Sequence, residues 1–501
     1  MVLDSSLRKR IRNPKGEQLI VSAEEAAKLI KDGMVVGVSG FTPSDDPKVV
    51  PLALATQRNT GEAFKVDIYS GAALGIIDSE MIKAGIVRKR LPFCHNETIR
   101  EAVNSGNLQY IDMHLSQSPQ YLNYGFLPPI DIALVEVLAI TEEGDLVPSI
   151  AVGNTASFVN NCNSVIVEIA MEKPLDMEGM HDIAYVDNPP QRKPIPIYSP
   201  RDRIGETVVR CGWDKIKAIV ISHQQDRPHK MAPIDENSKK IAENIIDFLE
   251  KEVEKGRLCK TLPPIQSGLG NVANAMLKSL KNSELNNLTA YTEVIQDGML
   301  DLIECGKMKF ASATCCTLSD DGYRKLFSNI DFFKEKIVLR PQEISNNPEI
   351  IRRLGIISIN TAIEADIYGN INSSHIMGKK MVNGIGGSGD FSRNAGISIF
   401  TTPSITKNGN ISCIVPMCSH VDHTEHEVMV VVTEQGYADL RGLSPKERAV
   451  KIIENCVHPD YRDKLMDYFN RACNEMPCQT PHILDEALSW HSKYEKTGSM
   501  K

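Results

Sequence analysis

Short apolar runs alternate with amphipathic stretches along this chain, and the alternation predicts an α/β fold. Ser22 and Glu25 have the spacing of a capping box at the start of one amphipathic stretch. Five runs in the first half are rich in β-branched residues and almost continuously apolar, as is typical of parallel strands buried on both faces. These predicted strands cover residues 34–41, 66–71, 131–137, 164–169 and 216–222.

The second half repeats this alternation after the polar, proline-containing stretch HQQDRPHKMAPID. A helix follows that stretch, and apolar residues such as Ile241 and Ile245 recur in it at helical spacing. We therefore place a domain boundary within residues 223–235, with an N-terminal α/β domain over residues 1–225 and a C-terminal α/β domain over residues 226–501. The strands predicted in the second half cover residues 288–295, 336–340, 355–360, 411–417 and 428–434.

Composition narrows the classes of protein further. Apolar residues make up 42% of the chain and charged residues 24%, and the net charge of -8 is spread along all 501 residues, which argues against a nucleic-acid partner. No run approaches the roughly 18 apolar residues that a membrane span needs, and the basic N-terminus lacks the apolar core of a secretory signal. The twelve cysteines have no zinc-type spacing and indicate a reducing compartment, so we expect a cytoplasmic protein.

Two glycine-rich segments lie where a predicted strand meets a helix or a turn. In QSGLGNVANAMLKSL, Gly268 and Gly270 precede a helix that begins near Asn271, so free N–H groups could hold an anion such as pyrophosphate. A tight turn that binds nothing is the alternative. The other segment, NGIGGSGDF, satisfies GxGxxG, but a poor helix follows it and no acid lies about 20 residues further on. Its four glycines indicate close approach of the backbone to a substrate rather than a dinucleotide site.

Two carboxylates stand at the ends of apolar strands, where a charge is costly unless it is paired or used. Glu293 lies in LTAYTEVIQDGML and Glu434 in VVVTEQGYADLRG. Either could be a helix cap or an ion-pair partner instead of a catalytic group. In RPQEISNNPEI, Asn346 or Asn347 could cap the helix that follows.

The segment HVDHTEH suggests a metal site through His420, His423 and His426. A spacing of three residues does not match a standard zinc arrangement on a strand or on a helix. A partly exposed polar loop explains the segment equally well, and we predict no metal.

Five segments in the same order resemble one family: QSGLGNVANA, YTEVIQDGML, RPQEISNNPEI, NGIGGSGDF and TEQGYADLRGLSP. This is the acetyl-CoA hydrolase/transferase family of class I CoA-transferases, and the resemblance runs almost from end to end. It implies two similar open α/β domains with the active site between them. It also implies transfer of CoA between short-chain carboxylic acids, with succinyl-CoA and acetate as the favoured pair. There are two alternatives: an acetyl-CoA hydrolase that uses water as acceptor, and a non-catalytic CoA-binding regulator.

The resemblance also implies roles for individual residues. Glu293 would be the nucleophile, and a carboxylate nucleophile predicts a glutamyl-CoA thioester. Asn346 lies in an active-site motif, and from the chemistry we predict the Gly387 N–H and the Asn346 amide as donors to the oxyanion. Glu434 lies in an active-site motif with an open role, and Arg227 would pair with an acid. The positions implied to contact CoA are Gln266, Ser267, Gly268, Leu269, Gly270, Ile363, Asn383, Gly387 and Lys407.

The resemblance further implies that CoA is a substrate and not a permanently bound cofactor, and that short-chain carboxylates are the other partners. We expect a homodimer because it is the commonest assembly. The charge distribution and the lack of a long apolar run predict no nucleic-acid or membrane partner. One segment departs from the family: residues 44–48 read SDDPK where SGYPK is expected. The added acids put a substrate-facing role of this loop in doubt.

Overall fold

The computed structural model describes residues 5–58, 64–230 and 233–501. Contacts group them into two compact units. The first holds the described residues up to Lys230 together with Ala290–Ile303 and Lys309–Arg353, and the second holds the remainder. The domain boundary predicted between residues 225 and 226 stays a prediction, and residues 231 and 232 of the predicted linker lie outside the described residues.

A sheet of seven parallel strands forms the centre of the first unit. From one edge to the other, its strands are Gln109–Tyr110, Val87–Leu91, Val66–Tyr69, Val35–Val38, Ile130–Val137, Cys162–Ala170 and Ile216–Ser222. The five strands predicted for the first half are confirmed. Val87–Leu91 was not predicted because its sequence, VRKRL, is mostly basic, and Arg88 and Arg90 are neutralised by Asp67 and Asp78.

The first unit also contains several short strands. Val294–Ile295 pairs in parallel with Cys315–Cys316, and Ile337–Leu339 pairs in parallel with the strand Met308–Ala313. Ala139–Ile140 and Leu146–Val147 form an antiparallel pair. The predicted strand over residues 288–295 is divided into Leu288–Tyr291 and Val294–Ile295, so that Thr292 and Glu293 lie in the break.

The helices that cover the first sheet are short. Ser22 and Glu25 form the predicted capping box at the start of Ala23–Ala27. The helices of this part of the chain are Ser5–Arg10, Pro14–Glu17, Ala23–Ala27, Val49–Arg58, the π-helical turn Ile77–Met81, Glu97–Asn104, Gln117–Asn123, Thr155–Asn160, the 3₁₀ turn Leu175–Met177, Asp297–Glu304, Asp320–Ser328, Ile330–Lys334, Gln342–Ser345 and Pro348–Leu354.

Four parallel strands and one antiparallel strand form the main sheet of the second unit. Their order is Ile265–Ser267, Ile357–Thr361, Ile397–Thr401, Val430–Thr433 and Gly436–Asp439, of which the last is antiparallel to its neighbour. The predicted strands at residues 355–360 and 428–434 are confirmed. The predicted run 411–417 forms two short strands in separate ladders, because Ile411–Ser412 pairs with residues 405–406 and Ile414–Val415 pairs with residues 365–366.

The core of the second unit lies under two long helices. Pro445–Cys456 and Pro459–Glu475 bury Ile452, Ile453 and Tyr461 against Val431 of the main sheet. The other helices are Glu236–Glu254, Asn271–Asn282, Ser388–Ser392, the 3₁₀ turn Lys407–Gly409, Leu484–Ala487 and Ser489–Thr497. Three further ladders join Glu364–Asp366 with Ile371–Asn372 and Ile414–Val415, His375–Ile376 with Lys380–Met381, and Ile405–Thr406 with Ile411–Ser412.

The predicted α/β fold class is confirmed by the parallel sheet of the first unit and the mainly parallel sheet of the second, together with their helices. Within the described ranges, none of the helices combines the length and apolar character needed to cross a membrane.

Candidate active site

Glu293 lies in the break between two strands, and its backbone carbonyl is held by two hydrogen bonds. The Glu293 carbonyl oxygen accepts hydrogen bonds from the N–H groups of Thr314 at 3.0 Å and Cys315 at 3.2 Å. Its side chain is half-buried, and one carboxylate oxygen, Oε1, accepts a hydrogen bond from Asn346 Nδ2 at 2.5 Å. The first unit thus brings together two of the residues that the sequence singled out, a carboxylate and an amide donor.

The amide of Asn346 is oriented by its neighbours. Its side-chain oxygen accepts a hydrogen bond from the Ser345 hydroxyl at 2.9 Å, so that the NH₂ group faces Glu293. Asn346 itself ends the helix Gln342–Ser345, and Asn347 caps the next helix by accepting from the Glu349 N–H at 3.0 Å. Of the two asparagines considered as caps, Asn347 therefore caps the following helix, which leaves the Asn346 side chain for Glu293.

The helix before Asn346 is anchored to other segments of the first unit. Gln342 donates from its backbone N–H to Gly153 and from its side chain to the Leu115 carbonyl at 2.8 Å. Glu343 forms an ion pair with Arg192 at 3.0 Å. These contacts fix the position of Asn346 relative to the first sheet.

A thiol also lies near Glu293, but it is not a competing nucleophile. Cys315 is fully buried, and burial raises the pKa of its thiol to about 12. Thr317 Oγ1 lies 3.5 Å from the sulfur, and Thr42 Oγ1 lies 3.9 Å from it. At neutral pH the thiol stays protonated, so Glu293 is the nucleophile candidate of this cluster.

The departure at residues 44–48 has a structural explanation. Asp45 and Lys48 are buried in an ion-pair network with Glu136, Lys173 and Asp226. Lys173 Nζ lies 2.6 Å from Glu136, 2.8 Å from Asp226 and in contact with Asp45. The acids outweigh the cost of burial and raise the pKa of both lysines. The added charges of SDDPK therefore face the interior of the unit.

The network holds a strained loop. Thr42 and Asp45 have φ angles of +56° and +60°, a region that is costly for residues other than glycine. The Asp45 carboxylate accepts from the Ser149 hydroxyl and the Ala151 N–H, and Asp46 accepts from the backbone at Gly75. The loop keeps this conformation because its acids are bound from several sides.

We expect Lys173→Met to destabilise the first unit strongly. It would leave three buried carboxylates with Lys48 as their nearest cation, and breaking such a buried pair costs about 3–5 kcal/mol. The thermal unfolding midpoint should fall by roughly 10 °C. Lys28→Met, at an exposed position of the same unit, is the control and should shift the midpoint by less than about 2 °C. Equal midpoints for the two variants would contradict the importance of the network.

Arg227 follows Asp226 of this network, but its own side chain is exposed. Within the described part of the chain it forms no ion pair, with Glu293 or with another acid. The predicted pairing of Arg227 with an active-site acid therefore stays a prediction.

In the second unit, most of the other candidate residues follow the carboxyl ends of neighbouring parallel strands. The strands that end at Ser267, Thr361, Thr401 and Thr433 are parallel neighbours, and each ends within two residues of the next, so the loops after them meet at one edge of the sheet. Ligands of open α/β sheets bind at this edge. The candidates in these loops are Gly268, Leu269, Gly270, Ile363, Lys407 and Glu434.

Glu434 is held by the neighbouring loop. Its carboxylate accepts hydrogen bonds from the Ser404 N–H at 2.8 Å, from the Ser404 hydroxyl and from Gln435 Nε2 at 3.0 Å. Burial alone would raise the pKa of Glu434, but these hydrogen bonds lower it below its ordinary value. Glu434 is therefore a carboxylate at neutral pH, and not a store for a proton.

In each of the two glycine segments, one glycine has a positive φ angle that other residues rarely adopt. Gly270 has a φ of +128° and directly precedes the helix Asn271–Asn282, as the sequence predicted. Gly386 has a φ of +59°, whereas Gly387, with φ of −92°, has an ordinary backbone that any residue could adopt. The helix after Gly387 spans five residues, Ser388–Ser392, in agreement with the poor helix expected there.

The remaining residues predicted to contact CoA differ in burial and in hydrogen bonding. The buried Gln266 side chain bonds Asn360 Oδ1 at 3.3 Å and the Ile359 N–H at 3.2 Å, which is a structural role. Ser267 is buried and Ile363 is half-buried, whereas Lys407 is exposed. Asn383 Oδ1 is buried without a hydrogen-bond partner among the described residues.

The three histidines of HVDHTEH face different surroundings. His420 pairs with Asp422 at 3.2 Å, His426 is exposed, and His423 is fully buried with its Nε2 at 2.9 Å from the Ser388 hydroxyl.

Both parts of this chain match models of one known protein family. The family model described as the acetyl-CoA hydrolase/transferase N-terminal domain matches residues 5–222, and the model of the C-terminal domain of the same family matches residues 322–469. The chain belongs to the acetyl-CoA hydrolase/transferase family. The resemblance of the sequence motifs is thereby confirmed.

Relatives of this acetyl-CoA hydrolase/transferase family member match along nearly their whole lengths. The succinyl-CoA:acetate CoA-transferase of Clostridium kluyveri is 58% identical, over 98% of this chain and 92% of the relative. The acetyl-CoA hydrolase of Candida albicans is 41% identical, over 100% and 98%. Among solved structures, RipA from Yersinia pestis superposes with a TM-score of 0.70 at 22% identity, over 92% of this chain and 98% of RipA, and supports the fold.

Two residues that hold the candidate side chains in place in this acetyl-CoA hydrolase/transferase family member could not be recognised from the sequence. Ser404 follows the strand Ile397–Thr401, which was not predicted, so its place beside Glu434 could not be inferred. The polar run after ISIFT was the signal that could have found it. Lys173 gave no local signal, because its acidic partners are distant in the sequence.

Proposed function

We propose that the protein is a CoA-transferase that moves CoA between short-chain carboxylic acids, with succinyl-CoA and acetate as the substrate pair. The observation that carries this proposal is the hydrogen bond of 2.5 Å between the Glu293 carboxylate and the Asn346 amide, in a chain 58% identical to a succinyl-CoA:acetate CoA-transferase. A carboxylate that lies beside an amide donor can act as a nucleophile on a thioester and have the resulting oxyanion stabilised.

The reaction follows from the chemistry of a carboxylate nucleophile. A Glu293 oxygen attacks the thioester carbonyl to give a tetrahedral oxyanion. The C–S bond then breaks, CoA leaves as a thiolate, and a mixed anhydride of Glu293 and the acyl group remains. The thiolate attacks the Glu293 carbonyl carbon, and the anhydride bond breaks to release the first carboxylate and form a glutamyl-CoA thioester. A second carboxylate reverses these steps, so that no net proton is needed and the acyl activation is retained.

In this proposal the donors to each oxyanion are the Asn346 side chain and the Gly387 N–H. CoA is held by the loop at residues 266–270 together with Ile363, Asn383 and Lys407. Glu434 acts as a fixed carboxylate, and Arg227 pairs with an acid during the cycle. CoA enters as a substrate, and these steps require no permanently bound cofactor.

The alternative acceptor is water, and the 41% identity with an acetyl-CoA hydrolase favours considering it. The two reactions are separated by incubating the protein with succinyl-CoA, with and without acetate, and measuring free CoA and acetyl-CoA. A transferase forms acetyl-CoA only with acetate and releases little free CoA. Release of free CoA at a rate independent of acetate would support the hydrolase, and no turnover under either condition would support a CoA-binding regulator.

Gly387→Ala is expected to lower kcat by roughly 10-fold to 10²-fold with little change in KM. Because Gly387 has a φ of −92°, alanine fits the backbone, and the added methyl group acts by blocking close approach to the N–H. Steady-state kinetics with succinyl-CoA and acetate test this. An effect on KM alone would make Gly387 a binding residue.

We further infer a cytoplasmic homodimer. Two-fold homodimers are the most frequent assemblies of soluble enzymes, and the twelve cysteines, all free thiols in the structure, suit a reducing compartment.

A further inference from the structure

The buried imidazole of His423 lies next to the segment that contains Gly387. His423 Nε2 lies 2.9 Å from the hydroxyl oxygen of Ser388, the residue directly after Gly387. The Ser388 hydroxyl in turn donates to the Ile385 carbonyl at 2.7 Å. A chain of two hydrogen bonds therefore runs from the imidazole to both sides of the Gly386–Gly387 peptide.

The direction of these hydrogen bonds is determined by the number of protons available. The Ser388 hydroxyl has one proton, which is used by the Ile385 carbonyl, so the hydroxyl oxygen accepts from His423 Nε2–H. His423 Nδ1 has no hydrogen-bond partner in the described chain, so the bond to Ser388 is the one hydrogen bond of this ring there. The carboxylate of Glu427 lies 3.8 Å from it, beyond hydrogen-bond distance.

The imidazole is mounted rigidly. The His423 backbone exchanges two hydrogen bonds with Ile371, at 2.8 and 3.1 Å, and its ring packs on Phe400 with 4.8 Å between the ring centres. The preceding residue, Asp422, accepts from the Ser373 N–H at 2.6 Å and from the Ser374 hydroxyl. A buried donor with so little freedom can hold a flexible neighbour in one orientation.

The glycine segment is the neighbour that needs to be held. Gly386 has a φ of +59°, and glycines at 384, 386, 387 and 389 give this backbone more freedom than other residues would. The side chains that fix the direction of the Gly387 N–H are therefore those bonded to the adjoining residues, Ile385 and Ser388.

We infer that His423 and Ser388 are a positioning pair that aims the Gly387 N–H at the developing oxyanion. This inference rests on the proposed function, in which Gly387 is an oxyanion donor. Neither side chain needs to touch the substrate. Their contribution is to keep the donor within the narrow range of positions in which it stabilises the transition state.

The test uses variants that keep or remove the donor at one position. His423→Phe keeps a ring against Phe400 but has no donor, whereas His423→Gln places an amide NH₂ near the position of Nε2. Ser388→Ala removes the acceptor. Ser392→Ala is the matched control, because Ser392 is in the same short helix and its buried hydroxyl has no hydrogen-bond partner in the described structure.

We expect His423→Phe and Ser388→Ala each to lower kcat by about tenfold, with KM for succinyl-CoA changed less than about twofold. The Gly387 N–H is still present in these variants, but it no longer points at the oxyanion. His423→Gln should recover at least half of the wild-type kcat, and Ser392→Ala should keep it. The double variant His423→Phe/Ser388→Ala should be no slower than Ser388→Ala, since both changes break one chain of hydrogen bonds.

The inference is overturned if both single variants keep kcat within twofold of wild type, if His423→Gln is as slow as His423→Phe, or if the two effects multiply. Should His423→Phe fail to fold, Ser388→Ala against Ser392→Ala decides the question. Mass analysis of wild-type protein exposed to succinyl-CoA separates the two proposals. Without a CoA adduct on Glu293, the proposed function fails, whereas an adduct that forms at the wild-type rate in Ser388→Ala removes only the positioning role.

Discussion

Glu293→Gln is expected to abolish CoA transfer, with kcat lowered by a factor on the order of 10⁴ or more. The glutamine side chain has nearly the same shape as that of glutamate, and its oxygen can still accept the hydrogen bond from Asn346. We therefore expect the variant to fold. It lacks the anionic oxygen that attacks the thioester, and therefore neither the anhydride nor the glutamyl-CoA thioester can form. Binding of CoA should survive, because the candidate CoA loops at residues 266–270 do not depend on that charge.

Intact-protein mass spectrometry measures this result directly. Wild-type protein exposed to succinyl-CoA without an acceptor should gain the mass of CoA less one water, and peptide mapping should locate the gain at Glu293. The variant should show no gain. Glu335→Gln, at an exposed position of the same unit, is the control and should behave as wild type. Retention of a tenth of the wild-type kcat by Glu293→Gln would refute the covalent mechanism.

Asn346→Ala should give the second largest loss, with kcat lowered by about 10² to 10³-fold. The amide donates to Glu293 Oε1 at 2.5 Å, and loss of one oxyanion donor costs about 3–4 kcal/mol in the transition state. The effect should fall on kcat more than on KM, because the charge on the oxygen develops only during the reaction. Formation of the CoA adduct on Glu293 should slow by a similar factor.

Asn347→Ala is the matched control for this loss. Asn347 is the adjacent residue and is also buried, but its side chain bonds the Glu349 N–H at 3.0 Å and the Glu343 carbonyl at 3.2 Å. Its loss should lower the thermal unfolding midpoint by a few degrees and leave kcat within about threefold. If Asn346→Ala lowers kcat by less than threefold, or if both variants lose activity equally, Asn346 is not a specific donor.

The first parallel sheet could be predicted from the sequence because its strands are buried on both faces. Val36, Ile132 and Ile166 lie in nearly continuous apolar runs, and such runs are local signals. The strand Val87–Leu91 could not be recognised in this way. Its Arg90 can be fully buried because Asp78 forms an ion pair with it at 2.8 Å and because Ser70 and Ala72 accept further hydrogen bonds, and these partners belong to other segments of the fold.

The reactive groups of the candidate site could be predicted from the sequence, but the side chains that hold them in place could not. Glu293 was a carboxylate at a strand end and Gly387 lay in a glycine segment, and both belonged to recognisable motifs. The contact of Asn346 with Glu293 joins residues 53 positions apart, and the contact of His423 with Ser388 joins residues 35 apart. No local pattern specifies such pairs, since their distance in space depends on how the intervening strands and helices pack.

The sequence alone therefore determined the fold class, the family and the identity of the nucleophile candidate, because apolar periodicity and long motifs are properties of consecutive residues. The tertiary structure decided which asparagine faces Glu293, why Glu434 stays ionised and where the charges of residues 45, 46 and 48 lie. These properties depend on burial and on hydrogen bonds between distant segments, and both arise only when the chain is folded.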